Sequence, residues 1–434
     1  MLSLFGKTST TNCEGATRRD FLKVGALGMT GLTLPGLLRA RAEGAAGGRT
    51  ATDTSVVWLW LGGGPTQVET FDPKMTAPKE YRSVVGEVKT TLPGVTIGGL
   101  YPKIASLAKH FSFVRSFAHG NSGHAGGTHW VMTGYNYPPA DQGMQPIKPS
   151  IGSIVSRYRG ASHPKTGIPT FVRINGIYGD GPAWLGTSFS PFDSGGPAQQ
   201  NMNLAVGLDR VGDRRKLLQG FDRLNRQVDH TGLMTGLDKF ETQAFDLVLG
   251  KAKQAFDLSK EDPRTKARYG NGLGQQMLLA RRLCEAGTGF VTIHYGGWDM
   301  HGQIENAMKG RCPEMDTAVA AFVEDVLHRG LSKKILLVIT GEFGRTPKIN
   351  GSAGRDHWAP LSTLAFAHGN LKQGQVVGES NSKAEVPKST PIGPQDMMAT
   401  VFTHLGIDRG LHYYDQAGRP TPMITSGKPI RELV

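Results

Sequence analysis

Two short segments, far apart in the chain, each set a carboxylate beside an imidazole: Asp299-Met300-His301 and Asp356-His357. A third segment, HGNSGHAGGTH, carries His119, His124 and His129 among glycines. Carboxylates and neutral imidazoles together suit a divalent cation, and glycine lets backbone approach a bound group closely. Three of the chain's 13 histidines in one short segment exceed what core packing calls for. The expected ligands are Asp299, His301, Glu342, Asp356 and His357. Arg345 and Arg355 can brace a phosphate, sulfate or carboxylate by paired hydrogen bonds, with His119 and His129 lining the same substrate. His124 can act as nucleophile or as general acid or base near neutral pH. Thr128 and Ser122 are fallback hydroxyl nucleophiles. A plainer alternative makes Glu342 and Arg345 a buried ion pair that only shapes its loop.

These groups need a rigid frame. The run Ile335 to Ile339 is apolar throughout and ends at Gly341, which predicts a strand buried on both faces in the middle of a parallel sheet. Glu342, Arg345 and Asp356-His357 follow it, at the carboxyl edge where open α/β sheets bind ligands. SVVWLWL (55–61) predicts a second buried strand, ending in Gly62-Gly63-Gly64, a turn whose amides can cradle an anion. Glu69 and Asp72 beyond it are either ligands or ordinary loop residues. Further strands are expected at 111–117, 170–174, 289–294 and 361–368. Helices are expected at 100–110, 150–158, 274–286, 312–331 and 394–405, with Arg281 and Arg282 on a solvated face and Asp396 as a helix cap or first-turn charge. Residues 175–270 form a loop-rich, then helical, insert of the kind that walls a pocket.

The whole chain has 434 residues, 38% hydrophobic, with 59 glycines and a net charge of +13. Residues 17–42 hold a twin-arginine pattern (Arg18-Arg19), a short apolar run and an Ala-x-Ala end, which is a signal peptide rather than a membrane span. The expected organisation is therefore a signal peptide at 1–42 and one α/β domain at 43–434. The twin-arginine translocase is the expected export partner, and the periplasm or exterior the destination. Without 1–42 the chain keeps 43 basic against 34 acidic residues. Lacking a block of Lys and Arg, that moderate excess suits an anionic substrate better than nucleic acid. Of three cysteines, Cys284 and Cys312 could pair once exported, though their spacing decides nothing.

The blocks GGGPTQVETFDPK, AFDLSKEDPRTKARYG, QQMLLARRLCEAG, GGWDMHG, GEFGRTPKINGSAGRDHW and QDMMATVFTHLGI resemble the bacterial family called domain of unknown function 1501. The resemblance covers nearly all of the chain after the signal. It implies the fold of the alkaline phosphatase and sulfatase superfamily: a mostly parallel central sheet with helices on both faces, one or two divalent metals and a Ser, Thr or Cys-derived nucleophile at a helix start. Carried over, the pattern puts His124 in the nucleophile's place and Phe343 where a second-site histidine would stand. It implies one metal site (zinc, calcium, magnesium or manganese) and an incomplete second. The leading expectation is an exported metal-dependent hydrolase of phosphate or sulfate esters, taking an anionic small molecule or polysaccharide. The alternative is a non-catalytic, sulfatase-like envelope protein that binds anionic polysaccharide or a protein partner.

Overall fold

The computed structural model describes residues 53–196 and 252–434. The expected signal peptide and most of the expected insert lie outside the described residues.

Eight strands form the central sheet: β1 (Ser55–Trp60), β2 (Phe111–Val114), β3 (Phe171–Ile174), β4 (Phe192–Asp193), β5 (Phe290–His294), β6 (Ile335–Thr340), β7 (Leu364–His368) and β8 (Gln375–Val377). Their order across the sheet is β8-β2-β7-β6-β1-β5-β3-β4. All neighbours pair in parallel except β7, which runs antiparallel to both β2 and β6. The sheet is thus mostly parallel, as expected, and its centre is β6 beside β1.

Those two strands are central because neither has a polar face. Val57 and Leu59 of β1 join Leu337 and Ile339 of β6 in the core on one side. Val56, Trp58, Leu336 and Val338 join the core on the other. Helices cover both sides, as burial on both faces requires. Helices α1 (His124–Thr133), α2 (Ile151–Arg159) and α5 (Pro394–Leu405) pack against the Trp58 side. Helices α3 (Leu273–Glu285) and α4 (Ile304–His328) pack against the Leu59 side. α4 begins two turns before the expected 312 and tolerates Pro313 inside it. Asp396 accepts the Gly393 N–H at 2.9 Å, so it does cap α5. Among the described residues no helix is long and apolar enough to cross a membrane.

Two expectations fail on burial. Arg281 is only 1% exposed rather than solvated, because Glu261 and Asp325 both pair with it. Glu69 and Asp72 are buried structural groups, not ligands. Glu69 holds Arg355, and Asp72 holds Lys74 and Arg115. Cys284 and Cys312 are both buried, free thiols, and burial pushes each thiol up to about 12. Alkylation of the unfolded, unreduced chain should therefore label both, and reductant should leave the melting temperature unchanged. A peptide linked through these two residues would contradict this.

Candidate active site

The carboxyl ends of β1, β5 and β6, together with the start of α1, meet at one rim of the sheet. β6 passes through Gly341 into Glu342, and a two-residue ribbon pairs Gly344–Arg345 with His357–Trp358. That ribbon folds Asp356 and His357 back beside the loop after β5, which carries Asp299 and His301. The Gly62-Gly63-Gly64 turn makes the approach possible. Gly63 and Gly64 both have left-handed φ, +114° and +84°. A Cβ on Gly63 would strike the backbone of Asp299, and one on Gly64 would strike the Phe343 ring. The anion this turn cradles is the protein's own: Gly63 N–H donates to Glu342 Oε1 at 2.8 Å.

Three histidines surround Asp299, and each has its Nδ1 fixed. His357 Nδ1 lies 2.9 Å from the Ser122 carbonyl, which can only accept, so this nitrogen carries the proton. His301 Nδ1 lies 2.8 Å from Asp356 Oδ1, and His124 Nδ1 lies 2.8 Å from Glu342 Oε1. Each neutral ring is left with an Nε2 lone pair, and all three lone pairs point at one carboxylate. His301 Nε2 is 3.0 Å and His357 Nε2 3.1 Å from Asp299 Oδ1, while His124 Nε2 is 3.5 Å from Asp299 Oδ2. His301 and His357 also face each other, Nε2 to Nε2, at 3.0 Å.

Lone pairs that converge in this way repel unless a cation or shared protons lie between them. A carboxylate with two or three imidazole nitrogens is the donor set of zinc and its first-row neighbours. Carboxylate or carbonyl partners on the far ring nitrogens are what such ligands ordinarily have. The donor atoms of His124, Asp299 and His357 lie within 4.8 Å of one another. The residues present therefore fit a divalent metal, and fit a hard oxygen-only calcium or magnesium cage poorly.

The surroundings act differently on each group. Burial works against charge on Asp299, yet Arg345 and His357 outweigh it and hold the carboxyl down at about 2. The hydrogen bond to Glu342 raises His124, and burial lowers His357. His301 holds Asp356 below the usual carboxylate range. Phe343 packs against His357 and His124, with ring centroids 4.4 and 5.1 Å away.

Several expected site residues are elsewhere or otherwise engaged. Arg355 is fully buried, paired with Glu69 at 2.9 Å and bound to the carbonyls of Thr346, Pro347, Tyr81 and Arg82, so it has no reach to a substrate. Arg345 is also fully buried. It braces Asp299 at 2.5 Å and the carbonyls of Gly63 and Gly64 rather than a ligand, and it does not pair with Glu342. His119 Nε2 faces the Glu342 carbonyl at 2.7 Å, and burial pushes this ring down to about 4. His129 is buried against the Tyr135 carbonyl, 2.8 Å away. Thr128 Oγ1 donates to the His124 carbonyl at 2.6 Å, and Ser122 Oγ accepts from Ala359 N. The Thr128 O–H is thus engaged, whereas Ser122, which only accepts, keeps its own O–H. Asp356 and Glu342 touch imidazole Nδ1 atoms, which makes them orienting groups. Glu342→Gln should therefore weaken metal binding about 10- to 100-fold without unfolding the chain, read by titration with a chelator of known affinity. Unchanged affinity would remove Glu342 from the site.

No curated protein matches the chain in sequence. Solved structures are similar at low identity. The PsFucS1 sulfatase from Pseudoalteromonas sp. is 13% identical, with a TM-score of 0.41 over 86% of this chain and 70% of that one. The phosphonate monoester hydrolase SpPMH from Silicibacter pomeroyi is 12% identical, with a TM-score of 0.38 over 87% and 76%. The lipoteichoic acid synthase LtaP from Listeria monocytogenes is 10% identical, with a TM-score of 0.37 over 88% and 76%. Residues 53–434 match the model of one family throughout, and the chain belongs to it: the proteins of unknown function designated DUF1501.

Proposed function

We propose that the protein is a metal-dependent hydrolase of phosphate or sulfate esters, exported by the twin-arginine route. The observation that carries this reading is the convergence of three imidazole Nε2 atoms on Asp299. His124, Asp299 and His357 would hold the ion. Once bound, a divalent cation supplies Lewis acidity toward an ester oxygen. The other roles fall to the chain itself. Arg345 keeps Asp299 ionised and in place. Glu342 and the Ser122 carbonyl fix the tautomers of His124 and His357. His301, held by Asp356 on Nδ1, offers Nε2 as a base. In hydrolysis the oxygen of water bonds to phosphorus or sulfur while the bond to the alcohol oxygen breaks. The proton that His301 takes from the water is returned to the leaving alkoxide.

A second reading draws on one observation, that His124 rather than a hydroxyl or thiol residue opens α1. It makes the same cluster part of a binding protein without turnover. Metal content and turnover separate the two. Protein purified without chelator should carry about one divalent ion per chain and hydrolyse an aryl phosphate or aryl sulfate, and His301→Ala should keep the ion and lose turnover. Bound metal with no hydrolysis by the wild type favours the binding protein, and absence of metal sinks both.

A further inference from the structure

The two arginines expected to hold an anion are both buried and paired with Asp299 and Glu69, which leaves the question of what would recognise a substrate's charge. Among the described residues, another cation lies at this rim, beside the turn that precedes Asp299. Arg311, on α4, lays its guanidinium against Gly297, and a Cβ there would collide with it. Gly297 has a left-handed φ of +88° and is exposed, two residues before Asp299. The guanidinium carbon also sits 5.0 Å over the Tyr295 ring, a face-on contact that orients it without neutralising it. Among the described residues Arg311 makes no ion pair, unlike Arg281, Arg345 and Arg355.

His294 borders the same glycines. It is the last residue of β5, next to Trp60 at the end of β1. Its Nδ1 lies 2.9 Å from the Gly176 carbonyl, so that nitrogen is the donor and the neutral ring presents Nε2 as a lone pair. Among the described residues Nε2 has no hydrogen-bond partner. It rests in a hollow that exists because Gly62 and Gly296 lack side chains: a Cβ on Gly62 would occupy its place, and one on Gly296 would come within 3.4 Å. Asn175, in a left-handed conformation with φ +63°, braces the His294 carbonyl from β3's end.

We infer that Arg311 and His294 flank the Gly296-Gly297 turn as the oxyanion subsite beside the Asp299 cluster, and that this subsite selects phosphate over sulfate. The inference rests on the hydrolase reading for its biological meaning but is tested by binding alone. Arg311 supplies charge-assisted hydrogen bonds to either anion. His294 Nε2 distinguishes them. Phosphate monoesters have a second pKa near 6 and inorganic phosphate a higher one, so the group carries, or readily shares, a proton near neutral pH. That proton bridges a phosphate oxygen and the Nε2 lone pair. Sulfate and sulfate monoesters have no such proton, and their oxygens face the lone pair unrelieved.

The test is calorimetric titration of the protein as purified with inorganic phosphate and with inorganic sulfate at pH 7.5, alongside Arg311→Gln and His294→Gln. Wild type should bind phosphate about 10-fold or more tightly than sulfate, the scale of one charged hydrogen bond. Arg311→Gln should weaken both anions about 10-fold or more. His294→Gln should weaken phosphate alone and erase the preference. Metal content, measured by mass spectrometry on the same samples, should be unchanged in both variants. Sulfate binding as tightly as phosphate, or either variant binding like wild type, overturns the subsite. If wild type carries no metal yet shows the preference, the hydrolase reading fails and the subsite stands.

Discussion

Asp299→Asn should leave the protein unable to retain its ion and should lower ester hydrolysis by about 100-fold or more. The magnitude follows from the cation's contribution, several kcal/mol of charge stabilisation, at 1.36 kcal/mol per tenfold in rate. Asp299 is the residue every other group in the cluster addresses. His124, His301, His357 and Arg345 all lie within 3.5 Å of its carboxylate. Asparagine keeps the shape but removes the charge, and its amide would present N–H donors to Nε2 atoms that a metal would otherwise use. His301→Ala is the control, because it should spare the ion. Normal metal content and turnover in Asp299→Asn would remove the cluster from the chemistry.

The second large effect concerns the frame. Arg355→Met should destabilise the fold by about 3–5 kcal/mol, because it strands the Glu69 carboxylate in the interior without its partner. Both side chains are fully buried at a contact of 2.9 Å. Through its backbone-carbonyl contacts Arg355 also ties the 346–347 loop to residues 81–82. The measurement is the denaturant midpoint with an unchanged slope. The double variant Glu69→Leu with Arg355→Met should recover much of the loss, since it removes both charges. A loss under about 1 kcal/mol for Arg355→Met would show that the pair is solvated, as exposed pairs are.

Much of the frame could be read from the chain. β1 and β6 announce themselves because neither alternates polar with apolar residues, and a strand buried on both faces has no reason to. The Asp-and-His segments were singled out because carboxylates beside imidazoles suit a cation, and the fold does bring Asp299, His301 and His357 together. What the chain did not disclose was which polar groups face inward. Arg345, Arg355 and Glu69 look like rim residues by type, and only the folded loops show the carbonyls and partners that consume them. The reversed direction of β7 was equally hidden, because a run such as Leu364–His368 reads the same in either sense. His294 was passed over because a single histidine ending a strand carries no periodic or motif signal. Its relevance comes from Gly62 and Gly296, which are distant from each other in sequence and adjacent in space.

X-ray absorption at the metal edge of protein purified without chelator tests the central claim most directly. One ion per chain is expected, with imidazole scattering from two histidines and a carboxylate oxygen at about 2.0–2.2 Å, and with the imidazole signal reduced in His124→Ala. A spectrum with oxygen neighbours alone, or a protein that binds no ion at all, would contradict it.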